Sequence, residues 1–564
     1  MNPGLPVTDL KKLVSVEKLA LVAIAIAIVL RIVNLGSREL WYDEVLSLLL
    51  STGQRAAYQT PGDTPVVLAE YTPLLSLPIE SSLRELILTF KNLLLSLLAG
   101  EPHPPIFFLS QHFWLRLFAN SEAAMRSLNV LFSIAAIFSS YSLGKVVIGH
   151  RGGLFLAALV GINPFYLFHS LNVRMYAPLP LWTTLSATAL LHLIEQQQTP
   201  NLSTRRSQWF WNILLIGSVA AGLLTFYLYG YWVITLFALV LYLAHRHWWR
   251  YIWPLAAGVI ITLPWILWGA LKQFRNADLN RFGSSKGFGA ALLAHLQGIT
   301  QVLGSNLLLG DWVTSIPVVS VAIAGGLIIG FIVVCSLHLW RRREQKNLGI
   351  ALILGIFPLL LALAVDIATQ KYTLGFGWGR TMIMILPGCL LLFTLWLERV
   401  IAWPWRTLVA SGFLLLYLTI GVSDFSLRQR SVFHAVAEVA SQSANQPTLI
   451  AMNSKAWGHV MRLAYYIPPS NPVMLLAQHP QNLATDLEKA LNAEDSKYPR
   501  ILWLDSANPI WSRLKTKAEV ELAQQKIQQV LHSHQFQLQQ TQNLVGTMDM
   551  DNFTMKLYTH SSTN

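Results

Sequence analysis

Long apolar segments separated by short polar loops make up most of the chain. Because about 20 apolar residues cross a bilayer as one helix, each such segment is a candidate membrane span. The segments lie near residues 19–35, 127–147, 152–172, 177–195, 209–229, 231–245, 251–270, 313–338, 348–368, 381–398 and 406–423. The pattern therefore predicts a mainly α, polytopic membrane protein with about 11 transmembrane helices.

The basic residues follow the alternation of these segments. If the N-terminus is cytoplasmic, the cationic loops fall on the cytoplasmic side, as the positive-inside rule requires. These loops are Lys145 to Arg151, Arg205–Arg206, His245 to Arg250, Arg341 to Lys346 and Arg399 to Arg406. We therefore expect a multi-pass protein of the cell membrane (plasma or inner membrane) with a cytoplasmic N-terminus.

One further apolar stretch, His103 to Phe118, is predicted to lie along the outer surface instead of crossing the membrane. Counting it as a crossing would reverse the side of every later loop. It also mixes polar residues among its aromatic ones, which is the amphipathic pattern of an interfacial helix. The outer loop then runs over about residues 36–126 and includes a second surface helix at Leu83 to Leu98.

After Asp424 the pattern changes to short segments typical of a small α/β domain. The strand-like segments are Thr448 to Met452, Val473 to Leu476, Arg500 to Asp505 and Phe553 to Tyr558. The helical segments are Val432 to Ser441, Ala456 to Tyr466, Leu483 to Leu491 and Lys517 to His532. We expect a transmembrane domain over residues 1–423 and an extracytoplasmic α/β domain over residues 424–564.

Composition narrows the class of protein further. The 564 residues are 54% hydrophobic and 12% charged, with a mean hydropathy of +0.46, values that a soluble chain of this length would hardly reach. The net charge of +13 is carried mostly by short loops between apolar segments, so no nucleic-acid partner is expected. Cys335 and Cys389 both lie inside apolar segments, which argues against a disulfide framework or a C-x-x-C site.

Two adjacent acids stand in the first outer loop, in the sequence W-Y-D-E-V-L-S-L-L-L. Asp43 and Glu44 follow an aromatic pair and precede an apolar run that is predicted to form a surface helix. Ionisable residues at a membrane boundary are candidates for function because they are costly to place there. Neighbours in a helix project about 100° apart, so two different roles are favoured over a shared proton. The alternative is that they only cap or charge the N-terminus of this helix.

Four polar residues from distant segments are predicted on the same outer face. His103 stands among prolines at the start of the surface segment, and Arg126 opens the second span. Arg174 and Tyr176 lie together at the outer end of the third span, in V-R-M-Y-A-P. Taken singly, each arginine is also typical of an interfacial anchor.

Two later outer loops are basic as well. One is Leu271 to Lys286, and the other is Thr369 to Arg380, which contains Lys371 and three glycines. Positive charge outside runs against the orientation rule and therefore predicts an anionic partner. A lipid phosphate is a suitable one, because guanidinium groups match phosphate geometry.

These motifs together resemble the integral-membrane glycosyltransferases of the C-type fold. The motifs are W-Y-D-E, H-P-P, S-E-A-A-M-R-S-L-N, V-R-M-Y-A and G-R-T-M-I-M-I-L-P-G, in that order over roughly residues 15–400. The resemblance is to the protein mannosyltransferases and the related bacterial lipid-sugar-dependent transferases, such as the aminoarabinose and Rhizobium lipopolysaccharide transferases. The chain departs from the usual R-Y of the late motif, because Thr381 follows Arg380.

The resemblance implies that a sugar is taken from a polyprenyl-phosphate carrier on the non-cytoplasmic face and passed to an acceptor with inversion. Asp43 matches the acid that acts as the base, and Glu44 matches the second acid, which positions acceptor or donor. His103 falls where relatives place a metal or phosphate contact. The arginines near the lipid phosphate are matched by Arg126, Arg174 and Arg380.

The implied partners are a polyprenyl-phosphate-linked sugar, the lipid bilayer and an acceptor, which is a protein, a glycolipid or a polysaccharide. No cofactor is certain from the sequence. A divalent metal ion at His103 with a nearby acid is compatible with the chemistry, although no dense cluster of ligands demands it.

Two other classes of protein remain as alternatives. A transporter or lipid flippase would place ionisable residues inside its spans at mid-membrane, whereas Asp366 is almost the only acid in such a position. A structural or sensory membrane protein whose outer α/β domain binds a ligand would leave Asp43 and Glu44 without a role. The enzyme interpretation is therefore favoured.

Overall fold

The computed structural model describes residues 15–98, 103–198, 205–276, 282–283, 287–428, 430–442, 445–493, 498–509 and 513–560. Two positions of the basic loop predicted above, Arg281 and Lys286, lie outside the described residues. The chain forms two compact units. The first comprises Met1–Leu35, Leu97–Phe107 and Arg126–Leu427, and the second comprises Gly36–Ser96, Phe108–Met125 and Arg428–Asn564.

Helices account for most of the regular structure. In chain order they are α1 (Val16–Val33), α2 (Tyr42–Ser51), α3 (Leu83–Leu98), α4 (Ile106–Phe118), α5 (Glu122–Val147), α6 (His150–Ile162), α7 (Pro164–Ser170), α8 (Leu179–Gln198), α9 (Arg205–Thr225), α10 (Tyr229–Ala244), α11 (Trp249–Trp265), α12 (Leu271–Asn276), α13 (Phe288–Gly304), α14 (Val318–Arg341), α15 (Gln345–Gly355), α16 (Phe357–Thr369), α17 (Leu386–Arg399), α18 (Trp403–Leu427), α19 (Val432–Ser441), α20 (Trp457–Tyr466), α21 (Pro480–Asn492) and α22 (Lys517–Ser533).

Helices occupy every one of the apolar segments that the sequence predicts as spans. Within the described residues, six helical segments are long and apolar enough to cross a membrane, or up to eight if each bent pair is one span. The two bent pairs are α6 with α7, bent by 62°, and α15 with α16, bent by 42°. The remaining predicted spans are α1, α8 and α10, so the full number of crossings stays a prediction.

A buried arginine joins three helices at the start of the first unit. The Arg31 side chain of α1 is fully buried. It donates from Nε to the Ser133 hydroxyl of α5 (2.9 Å) and from Nη1 to the Gly161 carbonyl of α6 (2.7 Å). A charged group inside an apolar helix bundle needs such hydrogen bonds. They fix α5, which carries Arg126.

Helix α13 was not predicted, because its sequence mixes glycine, histidine and glutamine with its apolar residues. It packs closely against α14. A Cβ atom at Gly304 would lie 3.0 Å from the Val321 carbonyl oxygen, so a larger residue there would push the two helices apart. Small residues at such contacts are typical of helix packing in membranes.

The second unit contains a six-stranded mixed sheet. Its strands are β1 (Val66–Val67), β2 (Thr448–Met452), β3 (Val473–Ala477), β4 (Arg500–Ser506), β5 (Phe536–Leu544) and β6 (Phe553–His560). The spatial order is β1-β3-β2-β4-β6-β5, in which β2, β3 and β4 are parallel and the other pairings are antiparallel. The four predicted strands and four predicted helices of this region are all present, with ends shifted by a few residues at most.

Part of the predicted outer loop folds together with these C-terminal residues. Strand β1 extends the sheet, with Val66 opposite Leu475 and Val67 opposite Met474. The Thr72 hydroxyl donates to the Ala464 carbonyl of α20 (3.1 Å). The second unit is therefore assembled from three separate stretches of the chain.

Candidate active site

Asp43 and Glu44 lie in the first turn of α2 and occupy different environments. The Glu44 carboxylate accepts a hydrogen bond from the backbone N–H of Trp41 (3.1 Å), which is the residue before the helix. This contact satisfies one of the donors that a helix N-terminus leaves open. Glu44 is completely buried, whereas Asp43 retains 9% of its surface exposed.

The prediction of a surface helix after Asp43 is wrong. All ten residues from Tyr42 to Ser51 are buried. Helix α2 contains a run of valine and leucine after the two acids, and in the second unit it packs against α20 and the turn Leu68–Leu75. Its polar residues, Asp43, Glu44, Ser47 and Ser51, are buried with the apolar ones.

The ring of Tyr42 is held by three residues of α20. A Cβ atom at Gly458 would lie 2.6 Å from Cε2 of this ring, so glycine is needed for the ring to fit. His459 meets the ring edge-on at 5.5 Å, and the Arg462 guanidinium lies 5.7 Å from its centroid. Burial raises the pKa of the Tyr42 hydroxyl far above its usual range. Since Asp43 directly follows Tyr42, these contacts with α20 also fix the backbone position of Asp43.

Behind Tyr42 lies a buried polar network. The Ser454 hydroxyl is 2.9 Å from Nδ1 of His459, and Nε2 of the same ring is 3.3 Å from Oδ1 of Asp551. The Arg462 guanidinium also donates to Asp551. Burial alone would raise the pKa of Asp551, but the charge of Arg462 and the bonds from both partners outweigh it and lower the pKa to about 2.

This network contains serine, histidine and aspartate but does not have the access that a nucleophile needs. Ser454, His459 and Asp551 are all 0% exposed. Burial lowers the pKa of His459, although the hydrogen bond with Asp551 acts in the opposite direction. We interpret the network as the support that anchors α20 beneath Tyr42.

The first unit brings several of the predicted cationic and aromatic residues together. The Arg380 guanidinium lies 5.4 Å from the centroid of the Tyr176 ring. Tyr176 also meets Phe226 at 6.0 Å, and Phe226 stacks with His103 at 6.1 Å. Phe226 thereby links His103 with Tyr176, and Tyr176 contacts Arg380 directly.

Arg174 and Tyr176 lie on the loop between α7 and α8, and Asn129 fixes this loop. The Asn129 amide of α5 donates to the carbonyl of Arg174 (3.0 Å) and to that of Asn172. One turn earlier on α5, Arg126 donates to the Leu35 carbonyl (3.1 Å). Arg126, Arg174 and Arg380 are 0%, 4% and 9% exposed, so all three are buried cations.

The glycines before Arg380 allow the chain to pack around its side chain. Gly377 has a φ of 57°, and a Cβ atom there would overlap Nε of Arg380. Gly379 has a φ of 80°, and a Cβ atom there would lie 2.8 Å from Cα of Val302. These two glycines therefore serve close packing within the protein at the Arg380 turn.

Asp366, at the end of α16, holds the loop that leads to this turn. Its carboxylate accepts from the Thr373 hydroxyl (2.5 Å) and from the Leu374 backbone N–H (3.0 Å). Thr373 in turn accepts from the Thr381 hydroxyl (3.2 Å). Lys371 starts this loop, and its side chain makes no hydrogen bond or ion pair within the described residues.

Sequence reasoning did not identify Asn129 or Asp366 as parts of this arrangement. Asn129 stands in R-S-L-N, three residues after Arg126 and therefore on the same side of α5. A buried amide or acid in an apolar helix was the available signal for both residues. The loops to which these two side chains are hydrogen-bonded could not be predicted from the sequence, because they follow from tertiary packing.

No group of three or more histidine, cysteine, aspartate or glutamate side chains suited to a metal ion occurs in the part of the chain that the structure describes. Glu101, the acid nearest to His103 in sequence, lies outside that part. The His103 ring stacks on Phe226, and its backbone carbonyl accepts from Gln273 (2.9 Å). A metal at His103 therefore stays a proposal.

Residues 102–268 match the family model of the dolichyl-phosphate-mannose-protein mannosyltransferases. This match confirms the resemblance to that group of membrane glycosyltransferases. The matched segment contains His103, Arg126, Arg174 and Tyr176, but neither Asp43 nor Arg380. Comparison with curated proteins gives no match.

Three solved structures are similar to the chain at low sequence identity. One is the Archaeoglobus fulgidus oligosaccharyltransferase tethered with an acceptor peptide, with 13% identity, a TM-score of 0.46 and coverage of 80% of this chain and 64% of that one. Another, AglB of the same organism with an inhibitory peptide and a dolichol-phosphate, has 10% identity, a TM-score of 0.47 and coverage of 86% and 69%. The third is ArnT from Cupriavidus metallidurans bound to undecaprenyl phosphate, with 13% identity, a TM-score of 0.39 and coverage of 95% and 97%. The chain thus spans 64% of the length of the first of these proteins.

Proposed function

We propose that the protein is an inverting glycosyltransferase that takes a sugar from a polyprenyl-phosphate carrier and passes it to an acceptor on the outer face of the membrane. The observation that carries this proposal is the group of buried cations in the segment that matches the mannosyltransferase model and in the turn at Arg380. The acceptor is a protein, a glycolipid or a polysaccharide.

The phosphate of the carrier is assigned to the first unit. Arg174 and Tyr176 share one loop, and the Arg380 guanidinium lies over the Tyr176 ring, so the phosphate is assigned to Arg174 and Arg380. A guanidinium binds phosphate oxygens through paired, charge-assisted hydrogen bonds. Such donors stabilise the charge that grows on the phosphate as the sugar leaves.

The chemical step is a single displacement at the anomeric carbon. The acceptor hydroxyl oxygen forms a bond to this carbon, and the bond between the carbon and the carrier's phosphate oxygen breaks with its electron pair going to the phosphate. A carboxylate accepts the hydroxyl proton, a role that the resemblance gives to Asp43. Glu44 positions acceptor or donor in the same scheme. A divalent metal ion at His103 remains part of the proposal, and no step above requires one.

Binding of the carrier tests the phosphate assignment. We expect purified Arg174→Ala to bind polyprenyl phosphate roughly tenfold more weakly than the wild type, because a hydrogen bond to a charged group is lost. Arg174→Lys should recover part of the affinity, since it restores the charge without the two-pronged geometry. The measurement is a titration with polyprenyl phosphate in nanodiscs, with thermal stability in the absence of lipid as a check on folding.

Arg342→Ala is a matched control, because it removes the same charge from an exposed position after α14. Equal affinities of the wild type and Arg174→Ala would remove Arg174 from the phosphate site and leave it as an interfacial anchor. Transfer activity with a lipid-linked sugar separates the enzyme from a transporter or flippase. A protein that binds the lipid but transfers no sugar would favour the transporter.

A further inference from the structure

The C-terminal residues of the second unit contain a cavity of about 730 Å³ that the proposed reaction does not use. It opens at the carboxyl ends of two parallel strands. Asn453 directly follows β2, and Asp505 and Ser506 end β4, and all three line the cavity. Its volume is in the range of sites that bind small molecules in other proteins.

The connections of the sheet explain why a cavity forms there. Strand β2 is followed by α20 and then by β3 on one side of it, whereas β3 is followed by α21 and then by β4 on the other side. The chain leaves the carboxyl end of β2 towards β3 and leaves the carboxyl end of β4 towards β5 and β6, on opposite sides of this pair, so the two loops diverge. In open α/β sheets this switch point is the usual position of a ligand.

The floor of the cavity is held rigid by one carboxylate. Asp505 is 8% exposed and accepts hydrogen bonds from the amides of Asn453 (2.6 Å) and Gln524 (2.5 Å). The Asn453 side-chain oxygen accepts in turn from the Ser506 backbone N–H (2.7 Å). Burial raises the pKa of Asp505. Both oxygens of the one acid in the lining are thus engaged within the floor.

The rim of the cavity is cationic. Arg513, Lys515 and Lys517 line it, and within the described residues the first two have no carboxylate partner. Lys517 lies 3.5 Å from Glu521, which partly neutralises it. The nearby Glu519 is occupied in capping α22, where it accepts from the Lys515 backbone N–H (2.9 Å). Among the described residues that line the cavity, three are basic and one, Asp505, is acidic, so cationic groups predominate.

We infer that this cavity binds an anionic sugar, that is, a sugar carrying a phosphate or a carboxylate. The anionic group is bound by Arg513 and Lys515 at the rim. The side chain of Asn508 and the side-chain amide oxygen of Gln524 make no hydrogen bond in the described part of the chain, and both residues line the cavity, so they are available to hydroxyl groups. The wall also has apolar side chains, which contact the face of the sugar ring that carries C–H groups. They belong to Pro480, Val520 and Ile527.

Binding by the purified full-length protein tests the inference. The probes are glucose 1-phosphate, glucuronate and glucose, titrated separately by calorimetry. We expect the two anions to bind and glucose to bind at least about tenfold more weakly, because it lacks the charge that the rim recognises. Arg513→Ala and Lys515→Ala should each weaken binding of both anions by roughly three- to tenfold, the modest range expected for exposed cations.

Lys526→Ala is the matched control, because Lys526 is an exposed lysine of α22 that does not line the cavity. Absence of binding by either anion would overturn the inference, as would equal effects of Lys515→Ala and Lys526→Ala. Inorganic phosphate that binds as tightly as glucose 1-phosphate would overturn the sugar part of it. Lys515→Ala should leave the affinity for polyprenyl phosphate unchanged, which separates this site from the donor site of the proposed function.

Discussion

At the scale of single residues, the two adjacent acids show how neighbours in sequence acquire different surroundings. The Glu44 carboxylate accepts a hydrogen bond from the backbone N–H of Trp41, just before its own helix, and the side chain is completely buried. Asp43 retains some exposure. Because neighbouring residues of a helix point in different directions, the sequence predicts two separate roles for the acids. The alternative is that the acids only cap or charge the N-terminus of the helix. Glu44 makes a capping contact, which leaves Asp43 as the stronger candidate for proton transfer.

We predict that Asp43→Asn lowers sugar transfer by on the order of 10²-fold or more, because the amide cannot accept the proton of the acceptor hydroxyl. The assay is transfer by the purified protein with a lipid-linked sugar as donor. Glu70→Gln is the control, since it removes one acid from an exposed position of the same unit. Transfer by Asp43→Asn at the wild-type rate would remove Asp43 from the reaction.

The residues that support these side chains could not be predicted from sequence. Tyr42 is held by Gly458, His459 and Arg462, which lie more than 400 positions later in the chain. Such contacts follow from tertiary packing and leave no local pattern. The motif residues themselves could be found, because unusual polar groups stand out in an apolar chain.

At the scale of elements, regular periodicity made most of the C-terminal elements predictable. Strand β2 and helix α19 begin and end at the predicted residues. Strand β5 was missed because its sequence, F-Q-L-Q-Q-T-Q-N-L, has few apolar residues. Only its first and last residues are buried, as expected for a strand at the edge of a sheet. Strand β1 is only two residues long and has no periodicity to detect.

The Arg380 turn provides a test at the level of one element. We predict that Gly377→Ala weakens binding of polyprenyl phosphate and slows sugar transfer by on the order of 10²-fold, the scale of effect known for small misplacements of a catalytic group. The added methyl group would overlap the Arg380 side chain, and the positive φ of 57° disfavours alanine as well. Titration and transfer assays on the purified variant measure both effects.

Gly326→Ala is the control for this substitution, because a Cβ atom at Gly326 meets nothing within 4 Å. Both variants should insert into the membrane and remain folded. If Gly377→Ala binds and transfers as well as Gly326→Ala does, the turn does not hold Arg380 in a functional position.

At the scale of the whole molecule, the sequence predicts an outer loop and a separate C-terminal domain. In the structure, residues Gly36–Ser96 and Phe108–Met125 belong to the same compact unit as Arg428–Asn564. The pairing of β1 with β3 joins stretches that lie about 400 residues apart. Hydropathy could not reveal this association. It predicts whether a segment lies in the membrane or outside it, but not which of the outer segments pair with each other.

The association has a consequence for topology. The second unit contains an open mixed sheet, and because open sheet edges do not occur in the bilayer core, we expect its residues to lie on one side of the membrane. Most of α4 belongs to this unit, as do Gly36–Ser96 before it and the residues up to Met125 after it, so we expect the chain to be on the same side before and after α4. That His103 to Phe118 runs along the surface stays a prediction.

Cysteine labelling in intact cells tests this topology. We predict that Thr64→Cys and Ser121→Cys, which precede and follow α4 at exposed positions, both react with a membrane-impermeant thiol reagent. Gln345→Cys, exposed at the first residue of α15, should react only after permeabilisation, because the basic loop before this helix is expected in the cytoplasm. The two native cysteines are buried, so the unmodified protein should give little background. Labelling of Thr64→Cys without labelling of Ser121→Cys would make α4 a true crossing, and the side assigned to every later loop would then have to be reversed.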